Sequence, residues 1–173
     1  MRKIVTFYSY KGGVGRTMAL ANIAVLLSQW EYKVLIIDWD LEAPGLEHFF
    51  KQYFKDFNEI QLKKGLTDIL LSLSADDEDE KIRLAWKDKI IKIDISEPEC
   101  SIDLITAGSR NKDYFNNVRT WDIEAFYTEK KGGFILEKLR EQWQNEYDYI
   151  FIDSRTGVTD IGGVCTIQLP DRK

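Results

Sequence analysis

The sequence predicts an α/β fold, a three-layer sandwich on a mainly parallel sheet, from three observations. Four short runs, KIVTFYS, KVLIID, IDLIT and YDYIFID, are apolar almost throughout, as strands covered on both faces must be. Helical patterns separate them, the alternation expected of a parallel sheet. A glycine-rich turn joins the first run directly to the first helix.

Taken in order, Lys3 to Ser9 is the first strand, and the loop YKGGVG leads into a helix from about Arg16 to Trp30. Lys33 to Asp38 is the second strand. HFFKQYFKDF and GLTDILLSL carry helical spacing, SADDEDEK reads as a solvated acidic loop, and Ile90 to Ile95 is a candidate extra strand. Ile102 to Thr106 is the next strand. A helix from about Gly133 to Asn145 leads into the last one, Tyr147 to Asp153. At 173 residues and 44% apolar content the chain can bury one core, so residues 1–173 are expected to form a single domain.

Composition narrows the function classes. The formal charge is -5, and the lysines and arginines are interspersed with acids, so direct DNA binding by this segment is not expected. No apolar run is long enough to cross a membrane, and the polar DRK end offers no amphipathic membrane tail. Cys100 and Cys165 have no metal-ligand spacing, and the amino-terminal apolar stretch is too short for a signal peptide, so a cytoplasmic location is expected.

The loop after the first strand carries the chemistry. Gly12, Gly13 and Gly15 let the backbone turn tightly and bring its N–H groups close to a ligand, and a helix N-terminus follows, which suits a phosphate. Against the general pattern GxxxxGK[ST], Gly15, Arg16 and Thr17 fall on the last three positions, Tyr10 replaces the first glycine, and arginine replaces lysine. Against KGGxG[KR][ST] the match is close to complete. Two further motifs follow at strand ends, IIDWDLEAPG with Asp38, Asp40, Pro44 and Gly45, and FIDSRTGVTD with Asp153 and Gly157. The carboxyl edge of an open α/β sheet is where ligands bind.

These motifs resemble the deviant Walker A loop, switch I, and Walker B with switch II of the MinD/ParA-like (SIMIBI class) P-loop ATPases, and Arg16 places the chain nearest the KGGVGR variant. The likeness runs from Lys3 to about Pro170 and is weakest across Phe50 to Ile95. It implies ATP and Mg²⁺ as ligands and a P-loop NTPase fold. Lys11, Gly12, Gly13, Val14, Gly15, Arg16, Thr17, Met18 and Gly157 would bind nucleotide. Thr17, Asp38 and Asp153 would serve the metal, Asp38 supporting its hydration shell or Lys11. Asp40 would orient or deprotonate the attacking water, Arg16 would contact the β- and γ-phosphates, and Lys11 would cross a dimer interface to the partner's nucleotide. Arg155 stands where many relatives have proline and is a candidate phosphate or interface group. His48, the only histidine, reads as an ordinary helix residue.

The implied activity is a slow, Mg²⁺-dependent ATPase switch that dimerises with nucleotide and passes its state to a partner protein or an attached carboxyl-terminal effector domain. A nucleotide-binding or interaction module without turnover is the alternative, and a kinase or transferase on the same loop a third. Relatives continue past the stretch matched by Gln168 to Asp171 and there supply the adenine pocket. The chain is thus expected to be the amino-terminal portion of that fold, a fragment or a truncation after Walker B and switch II, with the strand ending at Asp153 as a sheet edge or flank.

Overall fold

The computed structural model describes residues 2–95, 100–155 and 169–170. Its strands are β1 (Lys3–Phe7), β2 (Val34–Asp38), β3 (Ile91–Asp94), β4 (Ser101–Ile105) and β5 (Tyr149–Asp153). They form one sheet in the order β1-β5-β2-β4-β3. The first four are parallel, and β3 runs antiparallel to β4 at one edge. The predicted three-layer α/β class and the extra strand are therefore both present.

One expectation is corrected by this order. The strand ending at Asp153 is no edge: β5 lies between β1 and β2 and pairs with both. Its residues Ile150, Phe151, Ile152 and Asp153 are all buried, and a strand apolar on both faces leaves least apolar area in contact with water when it lies in the sheet interior. Among the described residues the edges are β1 and β3.

Helices are α1 (Arg16–Gln29), α2 (Phe57–Leu62), α3 (Leu66–Ser72), α4 (Asp79–Lys87), α5 (Tyr114–Thr120), α6 (Ile123–Thr128) and α7 (Gly132–Glu146), with a 3-10 helix at Leu46–Tyr53. The period-2 alternation of β2 divides them between the faces. Val34 and Ile36 point to a core with Leu20, Ala24 and Leu27 of α1, Phe50 of the 3-10 helix and Ile60 of α2. Leu35 and Ile37 point to the opposite core, filled by Ile69 of α3, Trp86 of α4, Val118 of α5, Phe126 of α6 and Trp143 of α7. All five β2 residues are buried, which explains why KVLIID has no polar face.

The acidic run is only partly a loop. Asp79 and Glu80 form the first turn of α4, where carboxylates favour the positive end of the helix dipole. HFFKQYFKDF folds as the 3-10 helix and the start of α2, with His48 in edge-to-face contact with Phe57. No described helix is long and apolar enough to cross a membrane.

Candidate functional site

Parallel strands end together, and their carboxyl ends gather the loops that follow them. Asp153 lies in register with Phe7 of β1 on one side and Asp38 of β2 on the other. The glycine loop, the Trp39–Leu46 loop and the end of β5 therefore meet in one open cleft of about 560 Å³.

The glycine loop forms one wall. Gly13 and Gly15 have φ of 76° and 80°, the left-handed region that a side chain strains. Gly15 is also the residue preceding α1, so the helix starts in the cleft. No side chain caps α1 and no acid stands in its first turn. The N–H groups of a first turn have no partner within the helix, and Gly15, the residue before it, has no side chain to claim them. Together with the helix dipole they make an anion-binding cradle. Gly12, Gly13, Val14, Gly15, Arg16, Thr17 and Met18, all expected in the site, line this cleft. Lys11 does not line it; it is exposed just beside it, with its carbonyl accepting from the Ser9 hydroxyl at 2.9 Å.

Asp153 and Asp40 form the acidic side. Asp153 is 2% exposed, and its Oδ1 accepts from Arg16 Nε at 2.7 Å. Arg16 Nη2 also stands 3.5 Å from Asp40 Oδ2, so one guanidinium serves two carboxylates. The remaining nitrogen, Nη1, is buried without a hydrogen-bond partner among the described residues. Burial raises the pKa of Asp40, partly offset by the Ala43 N–H and the Arg16 charge.

Asp38 supports this wall from behind and does not line it. Its side chain is fully buried, and its carboxylate accepts from the N–H of Asp40 at 3.1 Å, Gly45 at 2.9 Å and Leu46 at 3.1 Å. These bonds close the Trp39–Leu46 loop over the strand end. Burial pushes the Asp38 pKa up to about 7, against the lowering by the Leu46 and Gly45 amides. Gly157 lies outside the described residues.

The same loop has three further fastenings that the sequence reading missed. Arg110, in the loop after β4, donates to the Pro44 carbonyl at 2.9 Å and pairs with the buried Glu47. The Tyr114 hydroxyl donates to the Leu41 carbonyl at 2.9 Å, and Arg155 pairs with Glu42. Arg110 had a legible signal, since it follows a glycine at the carboxyl end of a strand, the edge where functional loops collect. Glu47 and Tyr114 had none, because each resembles an ordinary amphipathic residue until its loop partner is known.

Replacing Tyr114 with phenylalanine keeps the ring and leaves the Leu41 carbonyl without its donor. We expect a stability loss of about 1 to 2 kcal/mol, read by urea denaturation with an unchanged slope. An unchanged midpoint would mean that the fastening contributes nothing.

Residues 2–159 match the AAA domain family. The chain is 28% identical over 169 residues to an uncharacterised ATP-binding protein of Methanocaldococcus jannaschii, covering 98% of this chain and 50% of that protein. It is 28% identical over 166 residues to a putative septum site-determining protein MinD of Oltmannsiellopsis viridis, covering 96% of this chain and 42% of that one. Its fold superimposes on the septum site-determining protein MinD of Pyrococcus horikoshii, solved in complex with Mg-ADP. The TM-score is 0.65 at 21% identity, with 97% of this chain and 55% of that chain covered. The chain thus spans about half the length of the relatives it matches.

Proposed function

Because this chain belongs to the AAA domain family, as a MinD/ParA-type P-loop ATPase, we propose that it binds ATP with Mg²⁺, hydrolyses it slowly, and dimerises with nucleotide to signal to a partner or an attached effector domain. The observation that carries this reading is the uncapped start of α1 at the glycine loop, opening into a cleft that also holds Thr17 and Asp153. Backbone amides there suit phosphate oxygens.

The donor set fits magnesium. Thr17 and Asp153 offer the hard oxygen atoms that Mg²⁺ takes alongside nucleotide phosphates. No cluster of three or more acids, histidines or cysteines able to hold a metal alone occurs among the described residues, which favours an ion that arrives with the nucleotide. When bound, the ion would supply neutralisation of phosphate charge.

The chain's own residues divide the remaining work. The amides of Gly13 to Met18 hold the phosphates, and Arg16 supplies a donor through its unpartnered Nη1. Asp40 lines the cleft and orients or deprotonates the attacking water. Asp38 keeps Asp40 in place by accepting its N–H. Lys11, exposed at the rim, is free to reach a second copy's nucleotide, and exposed Tyr10 and Val14 flank it. Catalysis of this kind is positional and electrostatic, with no covalent intermediate.

Arg16 is engaged by both acids, which supports the second reading, a nucleotide-binding module without turnover. Single-turnover hydrolysis with excess protein separates the two. We expect the Asp40→Ala variant to be slower by on the order of a hundredfold, the low end of what a positioned base supplies. Equal background rates in wild type and variant would leave the binding module alone.

A further inference from the structure

We propose that Arg16 is a displaceable counter-cation for Asp153 and Asp40, and that it makes divalent-cation binding and nucleotide binding in this cleft depend on each other. The inference rests on the nucleotide reading above and concerns how the two ligands are coupled.

Two carboxylates with side chains 2% and 14% exposed share one guanidinium, itself 10% exposed. Buried carboxylates beside each other are costly unless a cation neutralises them, and Arg16 is that cation in the arrangement described. The oxygen Arg16 holds at 2.7 Å belongs to the carboxylate that a divalent ion would use. A guanidinium and a divalent ion against the same carboxylate repel each other at short range. Binding the ion therefore requires Arg16 to turn away.

Arg16 has a second destination. It lines the phosphate cleft, and its buried Nη1 has no hydrogen-bond partner among the described residues, while guanidinium groups bind phosphate oxygens through paired donors. With a cation alone, Arg16 leaves its acids without gaining an anion. With nucleotide alone, Arg16 moves toward phosphate and leaves the buried Asp153 and the half-buried Asp40 unneutralised beside it. Only with both ligands does every charge keep a partner. The coupling is reciprocal: nucleotide tightens the cation by the factor that the cation tightens nucleotide.

The identity of residue 16 matters to this exchange. Arg16 reaches its two acids through different nitrogen atoms, Nε and Nη2, and keeps a third free. A lysine ammonium is a single point charge that cannot divide its contacts in this way. The arginine that departs from the general loop pattern is thus the feature that couples the ligands.

Mn²⁺, a paramagnetic stand-in for Mg²⁺, tests the proposal through the loss of its free-ion electron paramagnetic resonance signal. Wild type, Arg16→Gln and Arg16→Lys are compared with and without a non-hydrolysable ATP analogue, after circular dichroism melting. Without nucleotide, Arg16→Gln is expected to bind Mn²⁺ about tenfold more tightly than wild type, and Arg16→Lys to be tighter by a smaller factor. The analogue is expected to tighten Mn²⁺ about tenfold or more in wild type, within the usual range of site coupling, and distinctly less in Arg16→Gln. If Arg16→Gln does not fold, the Arg16→Lys comparison decides alone. Nucleotide-free Mn²⁺ affinities no tighter in the folded variants than in wild type, while wild type binds the analogue, would overturn the role of Arg16 only. Failure of wild type to bind the analogue at saturating Mn²⁺ would overturn the nucleotide reading with it.

Discussion

Replacing Asp153 with alanine is expected to abolish metal-dependent nucleotide binding and to lower stability by about 3 kcal/mol. Both effects have one origin, the position of this carboxylate at the end of the interior strand β5, where it is buried and pairs with Arg16 at 2.7 Å. Its removal leaves a guanidinium that is 10% exposed with only the longer contact to Asp40. A charge stranded in the interior costs more than the pair contributes, which is the asymmetry of buried ion pairs. A double variant, Arg16→Met with Asp153→Leu, removes both charges and is expected to recover at least half of the lost stability. It should still fail to bind nucleotide, with affinity weaker by about a hundredfold or more, roughly 2.7 kcal/mol. Urea denaturation and titration of a fluorescent ATP analogue with Mg²⁺ read the two effects separately. If the single and double variants lose the same stability, the stranded-charge explanation is wrong.

The second large effect is expected at a residue outside the cleft, Gly65. A Cβ on Gly65 would lie 2.2 Å from the Thr106 carbonyl oxygen and 2.6 Å from its Oγ1. The obstacle is backbone, so no rotamer change relieves it. Gly65 immediately precedes α3, whose first residues dock on the end of β4: the Leu66 N–H donates to Thr106 at 2.8 Å and the Thr67 N–H to Ala107 at 3.0 Å. Gly65→Ala has to push α3 off β4 and break these bonds. We expect a loss of at least about 3 kcal/mol, the upper range for overpacking a tight contact. Gly12→Ala is the control, since a Cβ there meets nothing within 4 Å and φ is not positive. Its stability should change by no more than about 0.5 kcal/mol. Similar losses in both variants would show that backbone entropy governs, not the close approach.

Gly65 also illustrates what a sequence reading cannot reach. GLTDILLSL has helical spacing, so α3 was legible, but the need for glycine comes from Thr106, forty-one positions later, and contacts at that separation leave no local pattern. Strands were legible because both faces of β2 and nearly all of β5 are buried, which turns periodicity into plain apolar runs. Their order was not legible. Nothing local in YDYIFID says that β5 inserts between β1 and β2, and the expectation of an edge at Asp153 failed there. The short helices α5 and α6 were also unread; α5 buries only Tyr114 and Val118, too few apolar positions to mark a stripe in YFNNVRT.

The candidate site divides in the same way. Gly12 to Met18 were readable because a glycine loop between strand and helix has one dominant physical use, and the fold gathers them into the cleft. Asp40 and Asp153 were readable as acids at strand ends. Asp38 looked equivalent to them, yet its carboxylate is turned inward to three backbone amides. A spacing of two residues places side chains on the same face only while the strand continues, and β2 ends at Asp38. The pairing of Arg16 with both acids was unreadable for a related reason, as it depends on where a flexible side chain comes to rest.

A crystal structure grown with Mg²⁺ and a non-hydrolysable ATP analogue addresses the cradle at the start of α1 most directly. Phosphate oxygens should lie about 2.7 to 3.2 Å from backbone nitrogens between Gly13 and Met18, with the metal near Thr17 and Asp153. A structure in which the analogue binds elsewhere, or in which the amides of that turn remain without phosphate at saturating ligand, would contradict the account.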